Sequence, residues 1–255
     1  MIPEFTQMAA QAVDRYAGLL FMLRSQSDNV FRRGATDETL RNEALRVAQG
    51  AARSFLGTEQ ANINEDTADV ARRAYSDALE DLGLPSATIE ERFAEFISSS
   101  AYYVTRMIAA QAERDVMTMA QHIQSTALRV DLYIRSGRHS PSSAAAQVMI
   151  EDNQAPAFRF VDRSGRKFKT SKHIRDMYRQ HLLNTYNEVY MDVVGSRGRD
   201  EVVIDHPNPE YKWYGEKISI VSGGLNADLP LYYDIRDEVF HPSSDAVVTI
   251  RELED

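Results

Sequence analysis

Eight basic side chains fall within one short stretch: Arg159, Arg163, Arg166, Lys167, Lys169, Lys172, Arg175 and Arg179, against two acids, Asp162 and Asp176. Such a cluster suits phosphate contacts, which are independent of base sequence and sensitive to salt. It suits equally a match to the acidic tail, because residues 180–255 hold fifteen acids and six bases. Phe160 and Phe168 alternate like strand residues facing a core, so base stacking is not indicated.

A second constellation is the pair Asp205-His206-Pro207 and His241-Pro242-Ser-Ser-Asp245. Two His-Pro units with nearby carboxylates suit a shared metal or an acid/base pair. The same residues also suit plain loop ends, proline fixing the backbone while histidine hydrogen-bonds the main chain. The metal reading requires His206 and His241 to converge. No His-Glu-x-x-His helix motif occurs, and His173 and His181 lie two helical turns apart. A Gly-x-Ser-x-Gly elbow, a Walker loop and a dinucleotide Gly-x-Gly-x-x-Gly are absent as well. The lone tryptophan, Trp213 in Lys212-Trp-Tyr-Gly215, is read as a core anchor or as a contact hot spot.

The elements that must position these residues divide the chain. Apolar residues at three- and four-residue spacing predict a helix over 4–24, broken by Ser25-Gln-Ser-Asp-Asn29. A second helix is expected from Thr36 or Asp37 to a stop at Gly57, and a third over 64–82, ending at Gly83. Thr88-Ile-Glu-Glu91 has capping-box spacing, and the run from there to Arg135 lacks proline and glycine. It is either one spine or two helices broken near 98–100. Ser, Gly and Pro then mark a linker over 137–157. Beyond it a strand at 158–161, a turn at Asp162–Gly165, a helix over 171–194 and strands near 201–204, 217–221 and 246–250 are expected. The fold class is therefore α+β: a helical domain (1–136), the linker, and a smaller domain with a short antiparallel sheet (158–255).

The 255 residues include 43% apolar side chains, enough for a core, and no cysteine. Disulfides, thiolate zinc sites, iron–sulfur clusters and a cysteine nucleophile are thereby excluded. A net charge of -9 argues against wholesale nucleic-acid binding but not against a local patch. The first 150 residues hold fifteen arginines and no lysine, a pattern that G+C-rich coding explains. No basic run precedes an apolar core at the N-terminus, and no stretch approaches 18 uninterrupted apolar residues.

The order of motifs in the second half resembles a known family. Phe160-Val-Asp-Arg-Ser-Gly-Arg166, a helix with Ile174 and Met177, Asn187, Gly198-Arg-Asp200-Glu-Val-Val-Ile204 and Trp213-Tyr-Gly215-Glu-Lys-Ile-Ser219 are similar to phage minor capsid protein 2, a relative of Mu-F-like head morphogenesis proteins. That family commonly closes with His-Pro-Asn-Cys, which His241-Pro242-Ser-Ser resembles without its cysteine. The resemblance covers residues 158–250. It implies a structural, non-enzymatic minor protein of a tailed-phage head, without cofactor or metal, found in the virion and in host cytoplasm during assembly. Implied partners are the major capsid protein, the portal protein, further copies of the chain and packaged DNA, with no membrane. Arg163, Arg166, Lys167, Lys169 and Lys172 would make the polar contacts, and Trp213 and Tyr214 the apolar one. Two alternatives stay open. One is a toxin-like ADP-ribosyltransferase or metal-dependent hydrolase using Asp205, His206, His241 and Asp245. The other is a DNA-binding accessory factor.

Overall fold

A helix buries one face when apolar residues recur every three or four positions. In the computed structural model, which describes residues 2–137, 139–152, 156–162, 164–222, 228–241 and 243–251, four long helices do this. The first, α1 (Ile2–Gly34), buries Phe5, Ala9, Ala12, Tyr16, Leu19 and Leu23. It does not break at 25–29: Ser27 is wholly buried on the same stripe, one turn before Val30 and Phe31.

Asp37 starts α2 (Glu38–Asp81), its carboxylate accepting the amides of Thr39 (2.8 Å) and Leu40 (3.3 Å). The expected stop at Gly57 does not occur, so the second and third expected helices are one. Gly57 keeps an ordinary φ, and buried Ala44, Ala48, Ala52, Ile63 and Val70 carry the packing past it. Gly83 is the residue that takes φ +67° and ends the helix, with Leu84 N–H donating to Leu79 O and Gly83 N–H to Glu80 O, both at 2.9 Å.

The helix α3 (Phe93–Arg135) is a single spine through 98–100. The capping box at Thr88 is not used. Glu90 instead accepts from the Tyr75 hydroxyl at 3.2 Å and from Arg92 at 2.6 Å, ahead of the helix. The stretch read as a linker carries α4 (Pro141–Asp152). Ser140 caps it, and Pro141 sits at the first helical position, where a missing N–H costs nothing.

Beyond lie β1 (Arg159–Val161), β2 (Lys167–Lys169), α5 (Thr170–Gly195), β3 (Glu201–Asp205), β4 (Lys217–Ser219), α6 (Tyr232–Val239) and β5 (Val247–Thr249). The strands form one two-stranded ribbon, β1-β2, and one antiparallel sheet in the order β4-β3-β5. The fold is α+β. Among the described residues no helix is long and apolar enough to cross a membrane.

The chain groups into two compact units that ignore the expected boundary at 137–157. One comprises residues 1–10, 60–104 and 175–255; the other comprises 11–59 and 105–174. Four helices give one stretch to each.

In the first unit, α2 and α5 are registered by polar pairs in ascending order along both helices. Tyr178 donates to Asp66, Tyr186 to Asp77 (3.0 Å) and Tyr190 to Asp81 (2.6 Å), so the two stretches run parallel. Buried His181 adds a fourth rung. Thr67 gives its hydroxyl proton to Ile63 O at 2.5 Å, so His181 Nε2, 2.8 Å from Thr67 Oγ1, must be the donor. Nδ1 then accepts from Ser100 of α3 at 3.3 Å. The imidazole is neutral, and burial pushes its pKa down to about 4. The sheet hangs on the same ladder. Val248 N–H donates to Asn187 Oδ1 (3.2 Å), Ile250 N–H to the Tyr190 hydroxyl (2.9 Å) and Thr249 Oγ1 to Asp81 (3.2 Å).

The second unit has its own buried node. Asp115, with no solvent exposure, accepts from Tyr16 of α1 (2.7 Å), from Gln111 (3.1 Å) and from Thr170 (3.5 Å). Burial outweighs these donors and lifts its carboxyl to about 6. Arg15 clasps Glu59 of α2 with two bonds, 2.6 and 2.9 Å.

These nodes titrate with opposite sign. His181 binds a proton more readily in the unfolded chain, so its contribution is lost as pH falls from about 6.5 toward about 4. Asp115 binds a proton more readily when folded, so its penalty is full above about 6 and is relieved as pH falls. Urea unfolding at pH 7.5 and 5 should therefore show His181→Gln losing less stability on acidification than the parent protein. Asp115→Asn should lose more, each by on the order of 1–2 kcal/mol. Equal pH slopes for all three proteins would contradict these assignments.

Candidate functional site

Alternation along a strand sends neighbouring side chains to opposite faces. In the β1-β2 ribbon, Arg159 pairs with Lys169, Phe160 with Phe168 and Val161 with Lys167. Phe160 and Phe168 are half-buried on one face; Arg159, Val161, Lys167 and Lys169 are exposed on the other. The inner face is fastened by ring contacts. Phe160 stacks on His173 of α5 with centroids 3.5 Å apart and planes at 4°, and the Arg114 guanidinium lies 5.6 Å from its centroid. Phe168 has Arg166 and Lys172 at 5.7 and 5.9 Å.

The turn is built by Asp162. One carboxylate oxygen accepts from Ser164 N–H (2.9 Å), Ser164 Oγ (2.7 Å) and Arg166 N–H (2.9 Å), and the other accepts from Arg166 Nε (2.7 Å). Gly165 supplies φ +82°. The Ser164 hydroxyl and the Arg166 contacts hold the Asp162 carboxyl down at about 2.

The outer face concentrates charge. Side chains two apart on a strand stand roughly 6.6 Å apart, and cross-strand partners about 5 Å apart. Arg159, Lys167 and Lys169 thus repel one another, and none makes an ion pair among the described residues. Arg166 is matched by Asp162, and exposed Lys172 lies beside the ribbon at the start of α5. Arg163 lies outside the described residues. Arg179, from the same basic run, is used differently. It is buried, donating to Ser244 O at 2.6 Å and pairing with Asp245. What this arrangement can do is hold a polyanion through several adjacent cations.

Trp213 and Tyr214 belong to the other unit. Neither is a core anchor: both are half-buried, in a turn closed by Gly215 at φ +77°. Lys212 lies 4.7 Å from the Trp213 centroid and bonds Glu238 of α6 at 2.9 Å.

The histidines of the two His-Pro units do the same local work. Asn208 N–H donates to His206 Nδ1 at 3.0 Å, and Ser243 N–H donates to His241 Nδ1 at 3.2 Å, each two residues on. In both, Nδ1 faces the main chain two residues on. His206 also stacks on Tyr211 at 4.1 Å. Asp205 sits in β3 opposite Val247, and Asp245 is taken by Arg179. Among the described residues, no three histidine or carboxylate side chains group as a metal-holding set. The loop-end reading of these residues is the one the geometry supports.

Residues not singled out from sequence are those of α6, with Tyr232 and Tyr233 at its start, and Glu188 of α5. Their one signal is the three- and four-residue spacing of Tyr232, Ile235 and Val239, without a side-chain cap to mark a start. No protein-family model, curated protein or solved structure matches this chain.

Asp162→Ala should open the ribbon's turn without unfolding the helices. Amide exchange at Phe160 and Phe168 should quicken while the thermal midpoint holds. In the parent protein that protection, conferred by a carboxylate held at about 2, is present above the ordinary carboxylate range and lost as pH falls through about 2. Unchanged exchange in the variant would remove Asp162 from this role.

Proposed function

We infer that the protein is a structural minor component of a tailed-phage head, docking on an anionic partner through the outer face of the β1-β2 ribbon. The observation that carries the docking half is the trio Arg159, Lys167 and Lys169, projected together without carboxylate partners among the described residues. An anionic surface relieves their mutual repulsion, and the fastened inner face means little ordering entropy is lost on contact. The head assignment is supported by the resemblance of residues 158–250 to phage minor capsid protein 2. The anionic partner is an acidic face of the major capsid or portal protein; packaged DNA is the competing partner.

Mass spectrometry of purified particles of the phage encoding this chain tests the head assignment. The chain should be present in mature heads or assembly intermediates, and absence from both ends the proposal. The triple variant Arg159→Glu/Lys167→Glu/Lys169→Glu tests the docking. It should keep its melting temperature, since all three side chains are exposed, yet enter particles at least about tenfold less. Retention of the parent protein on DNA-cellulose, with a steep salt dependence, would transfer the ribbon to DNA instead.

A further inference from the structure

A cavity of about 550 Å³ opens beside α6, within the size range of small-ligand sites. Its apolar walls include four aromatic rings, Phe93 and Phe96 of α3 and Tyr232 and Tyr233 of α6. The two tyrosine rings meet almost at right angles, 5.2 Å apart at 80°, forming two sides of a box. The charged lining is Arg92, Glu188 and Asp192.

The two carboxylates differ in how well they are matched. Asp192 is held by Arg92 at 2.5 Å, a guanidinium shared with Glu90 at 2.6 Å. Among the described residues Glu188 has only the longer contact to Arg236, 3.3 Å, and burial raises its carboxyl above the ordinary range despite that arginine. Its negative charge is therefore under-compensated. Close by, the Tyr232 hydroxyl is wholly buried beside the Asn187 amide.

Ring faces attract cations, and an under-matched carboxylate does so more strongly. An anion would meet two carboxylates here, and a neutral molecule would leave Glu188 as it is. We propose that this cavity binds a small organic ammonium with an apolar body, the ammonium at Glu188 and the body against Phe93 and Phe96. Nothing in the docking role of the ribbon requires this site, and the two stand independently.

Calorimetric titration of the full chain at pH 8 with phenethylammonium chloride, and with 2-phenylethanol as its uncharged counterpart, tests it. One saturable site is expected for the amine, with the alcohol at least about tenfold weaker. The shape-conserving Glu188→Gln should cost the amine at least about tenfold, and Tyr233→Ala about threefold. No saturation by ~10 mM amine, equal binding of the alcohol, or unchanged affinity in Glu188→Gln overturns the proposal. Should Glu188→Gln melt early, Tyr233→Ala decides, because Tyr233 is 61% exposed and outside the core; full retention of affinity there also overturns it.

Discussion

Buried tyrosine hydroxyls aimed at carboxylates of another helix set the register on which the rest of this structure depends. The pairs Tyr178–Asp66, Tyr186–Asp77 and Tyr190–Asp81 climb α5 and α2 together, and Tyr16–Asp115 does the same between α1 and α3. Apolar packing alone does not choose a register between long helices rich in alanine, because sliding one by a turn exchanges similar small side chains. A hydrogen bond to a charged acceptor contributes about 1.5–3 kcal/mol, and a one-turn slip strands both partners in a dry interior. Each rung therefore penalises every alternative alignment.

The ladder also fixes what hangs from it. Asp81 serves Tyr190, Thr249 and Arg251 at once, so the end of α2 is tied to the C-terminal strand. Asn187 and Tyr190 meet the backbone of that strand from α5, while Arg179 holds the preceding loop at Ser244 and Asp245. Ionisation of Tyr186 and Tyr190 is opposed by burial first and by the neighbouring carboxylates next, so these hydroxyls keep their protons. The rungs persist wherever the protein is folded and the aspartates are charged.

Against this framework the β1-β2 ribbon is a separate device. Its stability is local: a four-bond Asx turn, two half-buried phenylalanines and one imidazole stacked beneath. Its outer face contributes nothing to packing, and three cations held close together there are an electrostatic cost to the free protein. A surface that is costly when free and rigid when offered is suited to docking, which is why the ribbon, and not the histidines, anchors the functional reading.

Much was legible in the sequence because it was local. The cap at Asp37, the stop at Gly83, the Asp162 turn and α5 rest on interactions within a few residues, and the α+β class and the three sheet strands showed as local patterns of periodicity and punctuation. The basic cluster was visible for the same reason. Tertiary structure decided the rest. Whether Ser25–Asn29 or Gly57 breaks a helix depended on packing from other helices, which overrode a weak local preference. The capping-box spacing of Thr88–Glu91 went unused, and Glu90 within it meets Tyr75 of α2. The compact units cut across the chain because long helices carry their residues past any compositional boundary. Which cations of 159–179 were buried, which were matched and which were left facing outward followed from strand pairing and the Arg179–Asp245 contact. The partners of Tyr186, His181 and Glu188 lie far off in sequence, from 48 to 114 positions, and no spacing rule connects residues so far apart.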